Sequence, residues 1–571
     1  MRVVDYVIDE VYKVGGKHVF TVTGGGAMFL NDAVAAHPSI TAVCNHHEQA
    51  CAMAGVAYSK YTGKPSLVCP TTGCGGTNAI TGLLDAWQDS VPVIFVSGNV
   101  NLHQISPPGV RNLGVQEARI VEVVESITKY AKLIESVDEV EEVVQEALKA
   151  ATTGRPGPVW IDIPMDIQGK EMPVFSLEDE IKKAERPLIL AGGGVSCAGI
   201  SREEFREYVS EAKIPVVTTF NSVDLIESDD PYFVGRVGVK GTRAGNFAMQ
   251  NCDLLLVLGS RLPVPATGYN YKTFARDAKV IVVDIDKEEH SKNTVRIDKF
   301  IHSDLKDFLS KDRPPANLFS TNVLAWQKKC EEWKLNWPII PPKKSDETGI
   351  DLYDFTGKLN QFKPDDSVVI SDAGSAYYVC SQATGITGKN RYITSSAQAE
   401  MGFTVPACIG AAFAGSPCVI GVTGDGSLQM NIQELQTIKH HQLPIKLFVW
   451  NNGGYLSIRT TQKKFFQGRE IGTDEDSGVS FPDLGRIAYA YDLDYVKISD
   501  YDSLTESLST IFSIKVPMII EVMCKKWQEV IPTLQGRKNP DGTISAPPLE
   551  DMYPFLPRDE FYDNMIVEAL D

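Results

Sequence analysis

The feature that most constrains this chain is a repeated alternation of short apolar segments, each the length of a β-strand, with longer segments of helical spacing. The strand-like segments form three groups, at 18–22, 42–44, 66–69, 93–97 and 159–164, then at 187–190, 215–218, 254–258 and 280–283, and then at 367–370, 418–422, 446–449 and 518–522. Strands that alternate with helices at this pitch form βαβ units and parallel sheets. The sequence therefore predicts an α/β protein with three consecutive doubly wound parallel-sheet domains.

Polar segments separate the three groups and mark the domain boundaries. Residues 173–185 carry little pattern, and residues 311–349 are rich in Lys, Pro and Asn, as connectors often are. A length of 571 residues also suits three or four domains. We therefore expect domains at 1–172, 185–312 and 350–535, followed by a Pro- and acid-rich tail at 536–571 that packs as irregular coil or as a lid.

Charge and composition exclude several classes of partner. The formal net charge is −18 and no basic cluster is present, which argues against a nucleic-acid partner. No apolar run reaches the roughly 18 residues that span a bilayer, so no membrane partner is expected. The first residues lack the apolar core of a signal peptide. The eleven cysteines form no C-x-x-C pair. We therefore expect a cytoplasmic protein without structural zinc or disulfides, whose thiols, such as Cys44, Cys69, Cys252 and Cys418, are reduced and buried.

The third group of strands carries the most informative motif. An apolar strand at 418–422 runs into Gly424, Asp425, Gly426 and Ser427, and a helix is predicted from about residue 428. Glycines allow close approach of a ligand to the backbone, and the free N–H groups of a helix N-terminus bind phosphate. A carboxylate at the same place suits a magnesium ion that bridges phosphates. By itself, however, a Gly-Asp-Gly sequence is more often an ordinary turn.

A second motif, 27 residues after Asp425, makes the metal interpretation much stronger. The apolar strand at 446–449 ends in two asparagines, of which the second is Asn452. Neighbouring parallel strands would place Asp425 and Asn452 at the same sheet edge, where α/β proteins bind ligands. The pattern of Gly-Asp-Gly, 24 residues and Asn-Asn resembles the diphosphate motif of thiamine diphosphate (ThDP) enzymes. That resemblance implies Asp425, the amide of Asn452 and the carbonyl oxygen of Gly454 as ligands of Mg²⁺.

Glu48 is the candidate proton-transfer residue. It follows the strand at 42–44 and begins a helix whose next residues, 50–54, are apolar or small. ThDP chemistry needs a carboxyl group beside the aminopyrimidine ring, and an apolar pocket raises the affinity of such a group for a proton. The alternative interpretation is an ordinary acid at a helix N-terminus, where it is favoured by the helix dipole.

Several motifs resemble one branch of the ThDP enzymes, the acetolactate (acetohydroxyacid) synthases. The resemblance extends over about residues 1–535, with matches at 47–50 (His-Glu-Gln-Ala), 55–65, 25–27, 72–82, 85–92, 116–117 (Gln-Glu), 401–407 (Met-Gly-Phe-x-x-Pro-Ala) and 426–435. It implies pyrimidine, central and diphosphate domains, in that order, and catalytic roles for Glu48 and Gln116. It also implies that Met401 wedges the cofactor into a V shape. The full set of cofactor-binding residues implied is Gly25, Gly26, Thr72, Asn78, Gly374, Ser375, Met401, Gly424, Gly426, Ser427 and Ile458.

The residue at 458 favours one reaction over another. After a 2-oxo acid loses carbon dioxide, the remaining two-carbon unit is either protonated to an aldehyde or added to a second carbonyl group, and protonation needs an acid nearby. The pyruvate decarboxylase branch has a Glu at the position of Ile458, and it has a His-His pair where residues 100–120 contain only His103. The resemblance therefore favours decarboxylation of pyruvate followed by carbon–carbon ligation, with 2-acetolactate from two pyruvates as the default product.

Departures from the synthase pattern leave the acceptor open. Ser457 and Thr461 stand where the family has Met and Trp, Val115 replaces its Phe, and residues 372–376 lack its Gln and His diphosphate contacts. These changes enlarge the pocket and make it more polar, so another acceptor, such as a keto sugar, remains an alternative. Arg459 is either an ordinary surface arginine or a contact for an anion or sugar. A simple 2-oxo acid decarboxylase and a non-catalytic ThDP-fold protein are further alternatives, and the combination of Glu48, Asp425 and Asn452 argues against the last.

The resemblance also bears on FAD and on assembly. Synthases bind FAD in the central domain, and here residues 192–194 (Gly-Gly-Gly) and 282–286 look like a dinucleotide-binding pattern. The family's Met-His-Gly-Thr and Arg-Phe-Asp-Asp-Arg read instead as residues 239–242 (Val-Lys-Gly-Thr) and 261–265 (Arg-Leu-Pro-Val-Pro), so FAD is possible but not required. In the family the glutamate of one chain serves the ThDP held by another chain. The resemblance thus implies a homodimer or homotetramer with active sites at the dimer interface, and it leaves a regulatory subunit open.

Overall fold

The computed structural model describes residues 1–172, 175–292, 294–311, 321–340, 348–538 and 544–570. The chain divides into two compact units, Met1–Ser176 and Leu177–Asp571. The first unit contains one six-stranded sheet and the second contains two. All the ladders within these three sheets are parallel, as the alternation of strands and helices predicts.

The first unit is built on a parallel sheet with strand order β2-β1-β3-β4-β6-β5. Its strands are β1 (His18–Thr21), β2 (Thr41–Cys44), β3 (Ser66–Cys69), β4 (Val93–Asn99), β5 (Tyr130–Leu133) and β6 (Val159–Pro164). Its helices are α1 (Val3–Lys13), α2 (Met28–Ala36), α3 (Glu48–Thr62), α4 (Cys74–Asn78), α5 (Ile80–Gln88), α6 (Ile120–Val124), α7 (Val140–Thr152) and α8 (Met165–Gln168). Helices α1, α2 and α7 contribute to one hydrophobic core and α3, α5 and α6 to another, so the sheet is covered on both faces.

Sequence periodicity explains why these helices dock. In α1, Val3, Val7 and Val11 are fully buried, and they recur every four residues on one face of the helix. The central strands β3, β4 and β6 are buried along their whole length, as expected for strands covered by helices on both sides. Edge strand β2 is mostly exposed, and Cys44 at its end is exposed too. The prediction that Cys44 is buried is therefore wrong, and Cys418 is only partly buried, whereas Cys69 and Cys252 are buried as predicted.

The second unit begins with the central sheet, in the order β12-β11-β10-β7-β8-β9. Its strands are β7 (Pro187–Ala191), β8 (Val216–Thr218), β9 (Phe233–Arg236), β10 (Leu254–Leu258), β11 (Lys279–Asp284) and β12 (Lys299–His302). The accompanying helices are α9 (Leu177–Lys183), α10 (Gly194–Cys197), α11 (Arg202–Ala212), α12 (Arg243–Asn251), α13 (Val264–Thr267), α14 (Leu305–Lys311) and α15 (Thr321–Asn336).

The third sheet has the order β14-β13-β15-β16-β18-β17. Its strands are β13 (Val368–Ser371), β14 (Arg391–Thr394), β15 (Val419–Gly424), β16 (Ile445–Asn451), β17 (Asp494–Ile498) and β18 (Met518–Met523). Its helices are α16 (Leu352–Phe362), α17 (Gly374–Ala383), α18 (Thr404–Phe413), α19 (Asp425–Leu428), α20 (Leu435–His441), α21 (Leu456–Phe465), α22 (Leu484–Ala490) and α23 (Tyr501–Ser513).

The C-terminal residues pack into the core of the central sheet. They form a short antiparallel pair, β19 (Arg537–Lys538) with β20 (Ile544–Ser545), and helix α24 (Arg558–Asp563). Leu549 and Phe561 are buried in the same hydrophobic cluster as α12 and α15, and Arg243 donates a hydrogen bond to the carbonyl oxygen of Pro554 at 2.6 Å. The tail is therefore part of that core rather than a lid.

Each sheet has a topological switch point, where consecutive connections leave in opposite directions. The switch points lie between β1 and β3, between β7 and β10, and between β13 and β15. In open parallel sheets the crevice at such a point, beyond the carboxyl ends of the strands, is where ligands bind. Most of the sequence-predicted site residues follow these strands. None of the helices described is both long and apolar enough to cross a membrane.

Candidate active site

The first half of the candidate site is built around Glu48, the first residue of α3. Its side chain is 8% exposed, and its Oε2 accepts a hydrogen bond from the amide of Asn78 at 2.9 Å. The apolar wall consists of Cys51 and Ala52, both buried, whereas Met53 is 45% exposed. Burial, together with the nearby Glu48, raises the pKa of the Cys51 thiol to about 11. The Glu48 carboxyl group thus lies in a partly apolar pocket, where it accepts one hydrogen bond, from Asn78.

Close backbone contacts bring the other predicted residues of the first unit together. A Cβ added at Gly26 would lie 2.7 Å from the Thr72 side chain, so the turn after β1 touches the turn after β3. Gly73 has φ +61°, and a Cβ there would lie 2.0 Å from the carbonyl oxygen of Gln116. A Cβ at Gly25 would meet nothing within 4 Å, which leaves open space above this turn. Gly25, Gly26, Thr72 and Gln116 therefore share one crevice at the switch point.

Two further residues of this unit, Glu117 and His47, support the site. Glu117 accepts hydrogen bonds from the N–H groups of Ser106, Leu113 and Gly114 and from the Ser106 hydroxyl, which fixes the loop that carries Gln116. Although burial opposes it, this bonding lowers the pKa of Glu117 to about 2. His47 caps α3 by accepting the N–H of Gln49 at 3.1 Å, which agrees with a structural role for that histidine.

A buried polar network lies beneath the crevice. Thr72 donates to the carbonyl oxygen of Gly98 at 2.8 Å, and Asn99 donates to Asp162 at 2.6 Å and to the carbonyl oxygen of Ala118 at 3.3 Å. Asp162 also accepts a hydrogen bond from the Ser97 hydroxyl at 2.6 Å. Burial raises the pKa of Asp162 to about 6, although these two hydrogen bonds oppose the change. The network connects strands β4 and β6 to the loop that carries Gln116.

The second half of the candidate site is centred on Asp425, which directly follows β15. The carboxylate is 3% exposed, and its oxygens accept the N–H groups of Gly426 at 2.8 Å and Gly454 at 3.0 Å. Burial raises the pKa of Asp425 to about 6 against these hydrogen bonds. Within the described residues, no lysine, arginine or histidine forms an ion pair with it. A buried carboxylate without a basic partner suits a bound cation.

The turn after β16 brings the other predicted metal ligands to Asp425. Strands β15 and β16 are paired, with Gly424 opposite Trp450, and Asn452 is 7% exposed. Gly454 has φ +146°, and a Cβ there would lie 2.0 Å from the carbonyl oxygen of Thr473, so this turn requires glycine. Arg459, from α21, donates to the main-chain oxygen of Asn452 at 3.3 Å. The expected ligands Asp425, Asn452 and Gly454 therefore meet in one place.

Arg459 is fully buried, so its interpretation as an ordinary surface arginine is wrong. Its guanidinium lies 3.8 Å from the carboxylate of Asp474 and 5.3 Å from the ring centre of Trp527. The burial of Arg459 could not be read from the local sequence, because an arginine in a polar helix normally faces solvent. Asp474 and Trp527 lie 15 and 68 residues further along the chain, and only the fold brings them to Arg459.

Asp372, which directly follows β13, anchors several of the predicted cofactor-binding residues. It is fully buried and accepts hydrogen bonds from the hydroxyls of Ser427 at 2.6 Å and Thr423 at 2.9 Å. The Ser427 hydroxyl in turn accepts the N–H of Gly402 at 2.8 Å, which fixes the turn that carries Met401. Asp372 escaped prediction although it follows a strand in the same way as Asp425, and that position was the available signal.

The remaining predicted residues surround the same crevice. Gly374 begins α17 with φ +58°, and a Cβ there would lie 3.2 Å from the hydroxyl of Ser457 at the start of α21. Ser375 is next to it and partly exposed. A Cβ at Gly424 would meet nothing within 4 Å, whereas one at Gly426 would lie 2.2 Å from the Tyr455 ring. Met401 and Ile458 are 41% and 53% exposed.

The donor chemistry of this second half fits Mg²⁺ bound with a diphosphate. One carboxylate, one amide and one carbonyl oxygen are hard oxygen ligands, and magnesium is usually bound by one or two carboxylates together with phosphates. In the described part of the chain, no group of three or more His, Cys, Asp and Glu side chains could hold a metal ion by itself. A site here would therefore need phosphate oxygens to complete it.

The central sheet has its own cavity, of about 500 Å³, at its switch point. Asp284, at the end of β11, accepts the N–H of Asp286 at 3.0 Å and lies 3.4 Å from His290. An acid at this strand end suits the ribose hydroxyl groups of a nucleotide. The charged groups among the lining residues are Asp284, Asp286 and Glu289 against Arg261, so a diphosphate here would depend mainly on backbone N–H groups. No step of the reaction is assigned to FAD.

Comparison with known proteins agrees with this geometry. Residues 1–135, 176–311 and 372–522 match the family models for the N-terminal TPP binding domain, the central domain and the C-terminal TPP binding domain of thiamine pyrophosphate enzymes. The chain is 32% identical to the acetolactate synthase isozyme 2 large subunit of Escherichia coli (strain K12), over 97% of this chain and 100% of that protein.

Other relatives give the same picture. The chain is 30% identical to the acetolactate synthase large subunit of Lactococcus lactis subsp. lactis (strain IL1403), over 94% of this chain and 95% of that protein. It is 29% identical to the probable chloroplastic acetolactate synthase 2 of Oryza sativa subsp. japonica, over 93% and 84%. With three matching domains in order and full-length relatives of one kind, the chain belongs to the thiamine pyrophosphate enzymes and is of the acetolactate synthase type.

Proposed function

We propose that the chain is a ThDP- and Mg²⁺-dependent carboligase that decarboxylates pyruvate and transfers the acetyl unit to a second carbonyl compound. The observation that carries this proposal is the buried carboxylate of Asp425, which has no basic partner in the described chain and meets Asn452 and Gly454 at the carboxyl ends of β15 and β16, next to the switch point. A cation with a diphosphate satisfies both the charge and the missing ligands.

The residues that would hold the cofactor fall into two groups. Asp425, Asn452 and the carbonyl oxygen of Gly454 hold Mg²⁺, and the backbone of Gly374, Ser375, Gly424 and Gly426 approaches the diphosphate. The Ser427 hydroxyl is already bonded to Asp372, so Ser427 contributes its backbone. Gly25, Gly26, Thr72 and Asn78 line the pyrimidine side, and Met401 supports the bend between the two rings.

When bound, ThDP supplies a nucleophilic carbon that adds to the 2-oxo acid and accommodates the electron pair left by carbon dioxide. Glu48 exchanges a proton between its carboxyl group and the pyrimidine ring, and the hydrogen bond from Asn78 holds its Oε2 in place. Gln116, on a loop fixed by Glu117, faces the same crevice and orients the substrate.

The overall reaction balances without an external oxidant or reductant. The carbon–carbon bond to the pyruvate carboxylate breaks and carbon dioxide leaves. The acetyl carbon then forms a new bond to the acceptor carbonyl carbon, and the acceptor oxygen takes up one proton to become a hydroxyl. Ile458, exposed on the first turn of α21, offers no proton to the two-carbon unit, which supports ligation over aldehyde release.

A second acceptor class is also supported. Ser457 and Thr461 are small polar side chains on α21, and Ser457 lies against Gly374. They leave room and hydrogen-bonding groups for an acceptor larger and more polar than pyruvate, such as a keto sugar. Formation of 2-acetolactate from two pyruvates remains the default.

We also propose that the active enzyme is a homodimer or homotetramer, in which Glu48 of one chain serves the cofactor held by Asp425 of another. The exposed apolar side chains of Met401 and Ile458, beside the diphosphate crevice, support this assignment, because such side chains gain from being covered. A closed two-fold assembly would form two equivalent sites.

The test is pyruvate decarboxylation by the purified chain with and without ThDP and Mg²⁺. We expect carbon dioxide release only when both are present, and we expect its loss in Asp425→Ala. Glu48→Gln should also lower the rate of carbon dioxide release. Its control is Glu125→Gln, which changes an exposed glutamate of the first unit and should leave that rate unchanged. Equal rates with and without the cofactor would refute the proposal.

A further inference from the structure

A cluster of cations and aromatic rings lies beside the diphosphate crevice of the second unit. We call it the cation–aromatic cluster and define it as Lys240, Lys463, Lys464, Tyr378 and Trp527. The Lys240 ammonium lies 5.2 Å from the ring centre of Tyr378, and the Lys463 ammonium lies 4.1 Å from that of Trp527. In a chain with a net charge of −18, three lysines gathered around the half-buried ring of Tyr378 and the exposed ring of Trp527 point to an anionic ligand.

The three lysines have no acidic partner in the part of the chain that the structure describes. None of them forms an ion pair, whereas the nearby Lys526 and Arg459 share the carboxylate of Asp474. Lys240 has only the carbonyl oxygen of Val530, at 3.4 Å. Burial, and then the charge of Lys464, lowers the pKa of Lys240 to about 8. A half-buried ammonium without a counter-ion is costly unless a ligand supplies the negative charge.

The backbone around Lys240 is fixed in place. The N–H of Val239 donates to the carbonyl oxygen of Pro265 at 2.9 Å, and the N–H of Leu534 donates to the carbonyl oxygen of Val239 at 2.8 Å. These two bonds fix the backbone at Val239, next to Lys240. Among the described residues, the Lys240 side chain itself is held only by its contacts with the carbonyl oxygen of Val530 and the ring of Tyr378.

The cluster lies within reach of the reacting end of the site. Tyr378 is one helical turn beyond Gly374 on α17, and Lys463 is five residues beyond Ile458 on α21. Five residues of helix span about 7.5 Å. The starts of these two helices meet where Gly374 approaches Ser457. A ligand anchored at the cluster can therefore extend its other end to the crevice beside Ile458.

We propose that the cation–aromatic cluster binds the acceptor substrate, and that this acceptor is a carbonyl compound carried on a nucleoside diphosphate. The lysines bind the diphosphate, and Trp527 and Tyr378 stack against the base. A single carboxylate, such as that of a second pyruvate, needs neither three cations nor an exposed ring, since one cation neutralises it. This inference rests on the proposed carboligase function and specifies its acceptor class.

The experiment measures binding of uridine, cytidine, guanosine and thymidine diphosphates by calorimetry to the full chain saturated with ThDP and Mg²⁺. We expect one of them to bind at a single site, and Lys240→Gln and Lys463→Gln each to weaken it about tenfold, since a charge-assisted hydrogen bond is worth about 1.5–3 kcal/mol. Lys358→Gln is the matched control, because Lys358 also lies over a ring, that of Tyr501, and is not one of the residues of the cluster. It should bind like the unmodified chain.

Inorganic diphosphate, which has no base, distinguishes recognition of the base from recognition of the phosphates. Trp527→Leu should weaken nucleotide binding about tenfold, because stacking of a base on an aromatic side chain is worth about 1–3 kcal/mol. It should leave inorganic diphosphate binding unchanged. If Trp527→Leu does not fold, judged by its thermal unfolding, Lys463→Gln still decides, because Lys463 is exposed.

Three outcomes would overturn the inference: no nucleotide binds, inorganic diphosphate binds as tightly as every nucleotide, or the lysine variants weaken pyruvate binding and not nucleotide binding. Nucleotide binding is measured without turnover. A chain that binds a nucleotide but never consumes pyruvate would refute the proposed function alone, and a chain that forms acetolactate but binds no nucleotide would refute this inference alone.

Discussion

Replacing Asp162 with asparagine tests the electrostatics beneath the Glu48 half of the site. The Asp162 carboxylate is 1% exposed and accepts hydrogen bonds from Ser97 and Asn99. Burial raises its pKa from 3.8 to about 6. The native state therefore holds this proton more tightly than the unfolded chain does, and stability falls as the pH rises from about 3.8 through about 6. Above that range the full penalty for the buried charge is present.

The size of the penalty follows from the same pKa values. One pKa unit is worth about 1.4 kcal/mol, so the change from 3.8 to about 6 costs about 3 kcal/mol at pH 7.5. An asparagine amide removes the charge and can still accept the hydrogen bond from Asn99. Its N–H group would donate to Ser97, whose oxygen already accepts the indole N–H of Trp160 at 2.8 Å. The Ser97 hydroxyl then loses its acceptor, which costs about 1 kcal/mol. We expect Asp162→Asn to stabilise the first unit by about 2 kcal/mol at pH 7.5 and to destabilise it slightly at pH 4.

Hydrogen exchange of β6, followed by mass spectrometry, measures this change locally. A gain of about 2 kcal/mol slows exchange of the protected β6 amides about thirtyfold at pH 7.5. Asp138→Asn, which changes an exposed acid of the same unit, is the control and should leave the rates unaltered. If exchange in Asp162→Asn is unchanged or faster at pH 7.5 while the control behaves as expected, Asp162 is not an unfavourable buried charge and the reasoning fails.

The remaining predictions concern the cofactor and the products. Asp425→Ala and Asn452→Ala should abolish Mg²⁺-dependent ThDP binding in calorimetry while the chain stays folded, because a site with so few protein ligands cannot spare one; unchanged affinity in either would disprove the metal assignment. Glu48→Gln should slow proton exchange at the thiazolium carbon by about two to four powers of ten, and an unchanged exchange rate would remove Glu48 from the mechanism. Ile458→Glu should shift the products of pyruvate towards free acetaldehyde, with decarboxylation kept within about tenfold; normal pyruvate consumption with an unaltered product ratio would show that Ile458 does not face the two-carbon unit. Sedimentation should find a dimer or tetramer, and a fully active monomer would contradict the shared site.

The sequence predicts the central strands well and the edge strands poorly. β5, β9, β12, β14 and β17 all lie at sheet edges, and none was predicted. Four of them are partly exposed and have no continuous apolar run, whereas β9 is buried but has only two apolar side chains, Phe233 and Val234, before Gly235 and Arg236. The exposed Cys44 has the same cause, since it ends the remaining edge strand. The sequence does indicate where ligand-binding turns follow the strands that flank the switch points, because those turns are rich in glycine.

The candidate site was predictable where a motif is local and unpredictable where the fold assembles it. Asp425 and Asn452 stand out because each follows an apolar strand. The roles of Asp372, Glu117 and Arg459 depend on partners distant in the sequence or on burial, which no local pattern records. The cation–aromatic cluster likewise combines residues from four separate segments of the chain.

The most direct test of the whole account is the fate of the two-carbon unit of pyruvate. Incubate the chain with ThDP, Mg²⁺ and pyruvate labelled at the methyl carbon, then measure carbon dioxide, acetaldehyde and acetolactate together. The account predicts ThDP-dependent carbon dioxide release, with the label recovered in acetolactate or, when a nucleotide-linked carbonyl acceptor is added, in its acetyl adduct. Release of free acetaldehyde in step with carbon dioxide would contradict it, as would a failure to consume pyruvate with or without such an acceptor.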